Sequence, residues 1–285
     1  MSWYPQHNKK QSSGVLNTHQ FEPGVVRYFL IALTVIFTLI FLILPVIIVF
    51  EQAFSKGIEN YLKNLLEPDT LAAIRLTLIA AGSAVVINTI FGLTAAYAIT
   101  RFNFRGKNIL ISLIDVPFMV SPVVSGLLFI LLFGSNGWFG SILSELNLKI
   151  IFSTPGIILA TCFVTFPFVA RELMPVMQSL GNEFEEAALV LGAKPLKMFL
   201  KVTLPSIKWG LLYGVMLCSA RAIGEFGAVS VVSGHIRGST NTIPLHVEIL
   251  YNEYNFSGAF SVASILMVIA IVSLILRTFI ENKAS

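Results

Sequence analysis

A charged stretch lies between two apolar runs of the chain, and it reads Asn182-Glu183-Phe184-Glu185-Glu186-Ala187-Ala188-Leu189-Val190-Leu191-Gly192, with Leu204-Pro205 further on. This pattern predicts two short helices joined by a glycine turn. Asn182 is placed to cap the first helix, with Glu185 as its reciprocal capping partner three residues later. Gly192 suits the left-handed position after that helix, and Pro195 suits the first turn of the second. The stretch therefore predicts a folded surface outside the apolar part of the chain.

The composition indicates a membrane protein. Of 285 residues, 55% are hydrophobic and only 12% are charged, whereas soluble domains average about a quarter charged. Apolar runs that approach or exceed the roughly 20 residues needed to cross a bilayer occupy residues 28–50, 76–100, 109–133, 155–170, 209–233 and 258–276. Backbone groups in hydrocarbon must be satisfied within their own segment. The chain is therefore expected to be an all-α polytopic membrane protein with six transmembrane helices in a lipid bilayer.

The distribution of Lys and Arg predicts the orientation of these helices. Thirteen of the 19 basic residues fall in the termini and loops on the side of the charged stretch, and five fall on the other side. Cytoplasmic loops carry the excess of Lys and Arg, so both termini and the charged stretch are expected in the cytoplasm. Residues 1–24 are polar without a periodic apolar face and are expected to be a mobile cytoplasmic tail. Residues 25–285 are expected to form the transmembrane domain.

The sequence contains no motif for nucleotide hydrolysis. The nearest phosphate-loop candidate, residues 105–108, lacks the upstream glycine and the Ser or Thr that holds magnesium, so the chain is not expected to be an enzyme or to bind a cofactor. Cys162 and Cys218 lie in apolar runs and are expected to pack as small hydrophobic residues, not as metal ligands. The net charge of +4 gives no reason to expect nucleic acid. The histidines fall in predicted tails and loops and are expected to be solvent-exposed: His7, His19, His235 and His246.

Ionisable residues inside the predicted spans are functional candidates, because a charge at a span centre costs about 3 kcal/mol on insertion scales. Arg221 and Glu225 are four residues apart, which places them on one helix face and allows them to pair. With Ser219 and Ser230 on the same predicted helix, they form a polar stripe. Two interpretations remain open and are compatible: the stripe lines the path of a charged solute, or the ion pair holds the helix bundle in register.

The charged stretch resembles the cytoplasmic loop of bacterial ABC-importer permeases. In that loop, Glu-Ala-Ala is followed by three residues and a Gly. A further nine residues lead to an aliphatic residue and then to X-Leu-Pro. Val202 occupies the aliphatic position, where the family usually has isoleucine. Four further stretches resemble the W-type permease subunits of sulfate/thiosulfate ABC importers: residues 115–122, 166–173, 221–238 and 244–251. Molybdate permeases carry a segment similar to Arg-x-x-Gly-Glu-Phe-Gly-Ala, but the Ser-Gly-His-Ile-Arg-Gly continuation favours sulfate. The likeness runs from about residue 25 to the C-terminus.

The resemblance implies a type I ABC-importer permease fold and several partners. These are a T-type permease subunit, a cytoplasmic ABC ATPase dimer that hydrolyses ATP with Mg²⁺, and a periplasmic sulfate-binding protein. Residues from about 172 to 208, the Glu-Ala-Ala loop, would dock on the ATPase, with residues 183–191 as the lever. The residues matching the family's coupling motif are Glu185, Glu186, Ala187, Ala188, Gly192, Leu204 and Pro205. The implied location is the cell inner membrane.

Asp115 and the segment 235–238 are further candidates. Asp115 is expected to be structural or gating, since a carboxylate repels an anionic solute, and residues 105–115 are compatible with an interfacial elbow before a span that starts near Pro117. The segment His235-Ile236-Arg237-Gly238 is either a basic patch for a dianion or partner or a solvated loop. Residues 134–153 predict a short helix at the interface.

Three alternatives to the sulfate importer remain open. The loop could be an amphipathic interfacial helix without a partner. The substrate could be another tetrahedral oxyanion, molybdate or tungstate. In a different class, the chain could be an ATP-independent secondary anion transporter, although such proteins usually carry a relay of several buried carboxylates. A homodimeric permease pair is also compatible with the residues.

Overall fold

The computed structural model describes residues 24–284 of the chain, with side chains described as far as residue 280. The tail predicted over residues 1–24 therefore lies, except for Gly24, outside the described residues. All regular structure in the described range is helical, and the helices are α1 (Gly24–Thr38), α2 (Leu44–Phe54), α3 (Gly57–Leu65), α4 (Pro68–Arg101), α5 (Lys107–Met119), α6 (Pro122–Phe133), α7 (Gly140–Glu145), α8 (Thr154–Leu180), α9 (Glu183–Val190), α10 (Pro195–Met198), α11 (Leu204–Ile223), α12 (Gly227–Ser233), α13 (Ile243–Asn252) and α14 (Phe256–Ala284). The chain divides into two compact units, with the boundary in the sequence between Ile48 and Val49.

In the described part of the chain, two π-helical turns interrupt the α-helices, and each ends two residues before a proline. Leu39–Ile43 joins α1 to α2 ahead of Pro45, and Phe199–Thr203 joins α10 to α11 ahead of Pro205. A proline ring clashes with the carbonyl four residues earlier and offers no N–H to it. The wider π turn accommodates this clash without breaking the helix. Consequently α10 and α11 form one continuous helix, and the second short helix predicted after Gly192 is the start of a span.

Five helical segments of the described residues are long and apolar enough to cross a membrane: Gly24–Phe54, Pro68–Arg101, Thr154–Leu180, Pro195–Ile223 and Phe256–Ile280. The predicted span 109–133 is instead a pair of helices, α5 and α6, that meet at an angle of 107°. Ser121 is extended (φ −56°, ψ 134°) because it precedes Pro122, and residues before proline are pushed out of the helical region. If α5 and α6 are counted together as one bent span, the described residues contain six spans. The bend follows Met119 and does not precede Pro117.

Small residues allow α4 to pack closely against α8. A Cβ placed on Gly92 would lie 2.7 Å from the Cβ of Val169, so the two backbones approach as only a glycine permits. Nearby, the buried Asn88 amide donates to the carbonyl of Cys162 at 3.0 Å and to the hydroxyl of Thr165 at 2.8 Å. This pair of helices is the centre of the larger unit, against which α5, α11 and α12 pack. Because α8 continues through Pro167 and Pro175 to Leu180, it is longer than the predicted span.

A second close crossing joins α6 to α12. A Cβ on Gly126 would lie 2.7 Å from the Cβ of Val231 and 2.8 Å from the carbonyl oxygen of Ala228. A Cβ on Gly227 would lie 2.9 Å from Pro122. The first residues of both half-length helices therefore meet, and the predicted unbroken span 209–233 is wrong because α11 ends at Ile223 and α12 begins at Gly227.

Candidate functional site

The first helix of the Glu-Ala-Ala loop ends in a Schellman motif. The N–H of Ala193 donates to the carbonyl of Ala188 at 3.0 Å, and the N–H of Gly192 donates to that of Leu189 at 2.9 Å. Gly192 has φ +83°, a left-handed conformation that costs a residue with a Cβ about 1–2 kcal/mol. Gly192 therefore shapes the turn after α9, as the sequence predicts.

The loop presents an apolar surface framed by acidic residues. Val190 and Leu191 are 88% and 87% exposed, and Phe184, Leu189 and Leu196 are also exposed. Glu183 and Glu186 lie exposed on the first turn of α9. Phe184, Val190 and Leu191 lie between the spans that end at Leu180 and begin at Pro195. Burial in the membrane therefore does not explain these exposed apolar side chains, and a patch of this kind marks a site of interaction.

The predicted capping box between Asn182 and Glu185 does not form. Asn182 makes no side-chain capping hydrogen bond and has φ −108°, ψ −3°, whereas a capping residue needs an extended backbone to aim its side chain at the helix. Glu185 turns inward instead. Its Oε2 lies 2.9 Å from Nε of Arg101 in an ion pair, and its Oε1 accepts a 2.7 Å hydrogen bond from the hydroxyl of Thr203.

Arg101, the last residue of α4, completes this buried cluster. Its Nη1 donates to the carbonyl of Met177 at 3.1 Å, one of the four carbonyls at the end of α8 that have no partner within the helix. The side chains of Arg101 and Glu185 are 8% and 10% exposed. Removing one partner of such a buried pair costs about 3–5 kcal/mol, because the other charge is left uncompensated. From the sequence, Arg101 is counted only as a basic residue of a loop, and its role in this cluster is missed. Its position at the end of a span indicates that it lies near the Glu-Ala-Ala loop.

The remaining motif residues lie where the loop rejoins the helix bundle. Ala187 is exposed and Ala188 is half-buried. Leu204 begins α11, and its N–H donates to the carbonyl of Phe199 across the π turn that precedes Pro205. The Leu-Pro element thus fixes where the loop becomes a span.

Arg221 and Glu225 are paired at the break between α11 and α12. Nη1 of Arg221 lies 2.5 Å from Oε2 of Glu225, and the two side chains are 35% and 1% exposed. Glu225 lies beyond the end of α11, not on its face as predicted. Its Oε1 accepts a 2.9 Å hydrogen bond from the N–H of Ala228, so the carboxylate also satisfies the start of α12. The guanidinium of Arg221 is therefore partly exposed, whereas the carboxylate of its partner Glu225 is fully buried.

Ser219 and Ser230 do not share a helix with each other, because the break separates them. Ser219 Oγ donates to the carbonyl of Val215 at 2.7 Å, and Ser230 Oγ donates to that of Gly227 at 2.9 Å. Both hydroxyl protons are thus used within their own helices, and the hydroxyl oxygens are left as acceptors. The continuous polar stripe predicted from the sequence therefore does not form, and the ion pair of Arg221 and Glu225 is what remains of it.

Asp115 is also paired. Its Oδ1 lies 3.5 Å from Nε of Arg171, whose guanidinium stands 5.3 Å from the ring centroid of Phe118. Arg171 is a residue of α8 and not of a loop. Asp115 belongs to α5, which begins at Lys107, so residues 105–115 are not a separate elbow. The pair links two spans and neutralises both charges.

The segment 235–238 also contacts acidic residues. Nε2 of His235 lies 3.4 Å from Oε2 of Glu248, and Arg237 pairs with Glu253. Hydrogen bonding to Arg237 lowers the pKa of the Glu253 carboxyl. These contacts favour an ordinary polar loop over a basic patch. The predicted interfacial helix in 134–153 is α7, beside the exposed Trp138.

His246 is buried, contrary to the expectation that it is exposed. It is 1% exposed, and its Nε2 lies 3.1 Å from the hydroxyl of Thr70, which also contacts the carbonyl of Asn64. Burial lowers the pKa of the imidazole, because the charged form loses its hydration. The contacts attach α13 to the start of α4.

We expect the buried His246 to make the stability of the protein depend on pH. Its folded pKa lies below the unfolded value of about 6.5, so the unfolded chain binds more protons between the two values. The contribution is fully present above about pH 6.5 and is lost as the pH falls through the folded pKa. Melting temperatures of the purified protein between about pH 5 and 8 should fall on acidification, and less so in His246→Gln. The exposed His235→Gln is the matched control, and an equal slope in His246→Gln and wild type would contradict the expectation.

Comparison with known proteins places this geometry in a family. Residues 88–285 match the family described as "Binding-protein-dependent transport system inner membrane component". The chain is 52% identical over 255 residues to the sulfate transport system permease protein CysW of Escherichia coli (strain K12), covering 90% of this chain and 88% of that one. It is 34% identical over 250 residues to the sulfate transport system permease protein CysT of Salmonella typhimurium, covering 88% and 90%.

A solved structure has the same fold. A chain of the crystal structure of a bacterial alginate ABC transporter, in complex with an alginate pentasaccharide-bound periplasmic protein, superposes with a TM-score of 0.74. That match covers 90% of this chain and 93% of the other at 18% identity, which shows the fold alone. With the family match and the 52% identical relative, it establishes that the chain belongs to the family of inner membrane components of binding-protein-dependent transport systems.

Proposed function

We propose that this chain is a permease subunit of an ATP-driven importer that moves sulfate or thiosulfate across the cell inner membrane. The observation that carries the proposal is the 52% identity to a sulfate permease over 90% of the chain. The chain itself binds no nucleotide and is not an enzyme. ATP and Mg²⁺ belong to a separate ATPase.

The partners follow from the likeness to two kinds of sulfate permease. Because the chain is similar to both CysW and CysT proteins, its partner in the membrane is a second permease subunit of the T type. A periplasmic sulfate-binding protein delivers the solute. The excess of Lys and Arg on the side of the Glu-Ala-Ala loop orients that loop, and both termini, toward the cytoplasm.

The Glu-Ala-Ala loop is the docking surface for the ATPase dimer. Its exposed Phe184, Val190 and Leu191 fit an apolar groove on a soluble partner, and Glu186 supplies a polar contact at its edge. ATP binding closes the ATPases, displaces α9 and converts the paired permeases from an inward-open to an outward-open state. Such a switch requires that a partner bind the two states with different affinities.

Arg221 lies on the solute path in this proposal. Solute sites in membrane transporters are typically formed where helices are interrupted, and Arg221 lies in the last turn of α11, beside the break before α12. Glu225 holds the guanidinium in place and balances its charge. Asp115 and Arg171 are a structural or gating pair between α5 and α8.

Labelled-sulfate uptake into cells that lack this gene tests the proposal. Restoring the gene should restore uptake, and excess thiosulfate should compete whereas molybdate and phosphate should not. Competition by trace molybdate would move the substrate to molybdate or tungstate. Uptake that survives ATP depletion would overturn the ATP-driven mechanism in favour of a secondary transporter.

A further inference from the structure

A single buried residue ties the lever helix α9 to the spans. Among the residues of α9, only Glu185 is buried, while its neighbours Phe184 and Glu186 are exposed. The remainder of the helix contacts the π turn and α10 beside it. A displacement of α9 therefore acts directly on this buried carboxylate.

That carboxylate connects three other elements. It pairs with Arg101 at the end of α4 and accepts a hydrogen bond from Thr203, the last residue of the π turn before α11. Arg101 in turn donates to the carbonyl of Met177 near the end of α8. We call Arg101, Met177, Glu185 and Thr203 the joint, because α4, α8, α9 and the helix leading into α11 meet at these four residues.

A charged joint is an unusual way to attach a helix. Apolar residues of similar volume would attach it with equal or greater stability, because a buried ion pair must repay the loss of hydration. An ion pair with two further hydrogen bonds has directionality that apolar contacts lack. It holds the orientation of α9 relative to α4 and α11, and a helix that rotates without its neighbours must break it.

We propose that Arg101 and Glu185 are positioning residues of the transport cycle, which pass the displacement of α9 to α4 and, through Thr203, to α11. The proposal rests on the proposed function, in which α9 docks on the ATPase. The exposed Glu186 meets the partner, and the buried Glu185 carries the motion inward. From Thr203 the helix leads along α11 to Arg221, about 27 Å away at 1.5 Å per residue, so the joint acts on the same span that carries the candidate solute contact.

The test is the ratio of sulfate transported to ATP hydrolysed by the complete importer in liposomes, with the partner permease, the ATPase and the binding protein present. Glu185→Gln keeps the size of the side chain and an acceptor for Thr203, but it cannot balance the charge of Arg101. We expect less permease in the membrane, because Arg101 loses its buried counter-ion, and a ratio that falls about tenfold or more, the size of an ordinary coupling free energy. ATP hydrolysis and co-purification of the ATPase, each measured per inserted permease, should stay near wild type. Glu145→Gln, the same change at an exposed residue of α7 outside the Glu-Ala-Ala loop, is the control.

Three further variants separate coupling from folding. Thr203→Val leaves the ion pair in place and removes only the hydrogen bond to α11, and it should lower the ratio by a smaller factor. Arg101→Met removes the charge and should lower the ratio. Arg101→Lys keeps the charge but not the guanidinium that reaches both Glu185 and the carbonyl of Met177, so its ratio should lie between those of Arg101→Met and wild type.

A merely structural role gives a different result. If Glu185→Gln reduces only the amount of assembled importer, and the sulfate-to-ATP ratio equals that of wild type, the proposal is overturned. A wild-type importer that moves sulfate without the ATPase would overturn the proposed function instead. The two failures are therefore distinguished by the wild-type control in the same experiment.

Discussion

Gly192→Asp is expected to abolish sulfate uptake while the protein remains inserted in the membrane. The left-handed backbone at Gly192, with φ +83°, costs an aspartate no more than about 1–2 kcal/mol, and aspartate is among the residues that tolerate this region best. Apart from Gly192 itself and its two neighbours in the chain, no atom lies within 4 Å of a Cβ built on this glycine. The substitution therefore leaves the bundle folded, and its effect must arise elsewhere.

The effect arises in the complex with the ATPase. The introduced carboxylate would place a negative charge at the C-terminal end of α9, where the helix dipole is already negative. It would also lie beside Val190 and Leu191, the most exposed apolar residues of the loop. When a partner covers this surface the carboxylate loses its hydration without gaining a counter-ion, which costs several kcal/mol.

Gly192→Asn is the matched control, because asparagine has nearly the same shape and the same tolerance of a left-handed backbone but no charge. We expect it to keep most of the uptake. Uptake of labelled sulfate, the amount of protein in the membrane and the amount of ATPase that co-purifies should be measured together. Normal uptake by Gly192→Asp would refute the assignment of this loop, and equal losses in both variants would assign the effect to backbone geometry.

The spans and the Glu-Ala-Ala loop are the features most readily predicted from the sequence. Apolar runs mark the spans because hydrocarbon burial requires them, and Gly192 marks the end of α9 because its conformation is a local property. Both depend on residues close together in the chain. The prolines are less informative: Pro122 follows a bend of 107°, while Pro167 and Pro175 lie inside an unbroken helix. Whether a proline bends or interrupts its helix depends on the helices packed around it, and the spacing of residues in the sequence does not reveal these neighbours.

The contacts of the candidate site are less predictable, because they join distant residues. The capping-box pattern at Asn182 and Glu185 is a local rule worth about 1 kcal/mol. It fails because Arg101, far away in sequence, offers Glu185 a buried charge partner, and an unpaired Arg101 there would cost more than the cap gains. His246 is missed for the same reason: its partner, Thr70, belongs to the start of another helix.

Removing either charge of the Arg221–Glu225 pair should abolish uptake, but only the double variant reveals why. Arg221→Met leaves Glu225 buried at 1% exposure without its counter-ion, a loss of about 3–5 kcal/mol, and the amount of inserted protein should fall. Glu225→Gln leaves the guanidinium uncompensated but keeps an acceptor for the N–H of Ala228, so it should be the milder of the two. Neither variant alone separates folding from transport.

The double variant Arg221→Met/Glu225→Gln removes both charges and keeps the hydrogen bond at the start of α12. If the pair only stabilises the bundle, stability and uptake should both return, since the two losses are coupled and do not add. Because Arg221 is 35% exposed above a buried partner, we expect it to contact the solute. The double variant should then regain wild-type abundance, while uptake stays about 10-fold or more below wild type, as expected for the loss of a charged hydrogen bond. Full recovery of uptake would show that the pair is structural and that the anion passes elsewhere.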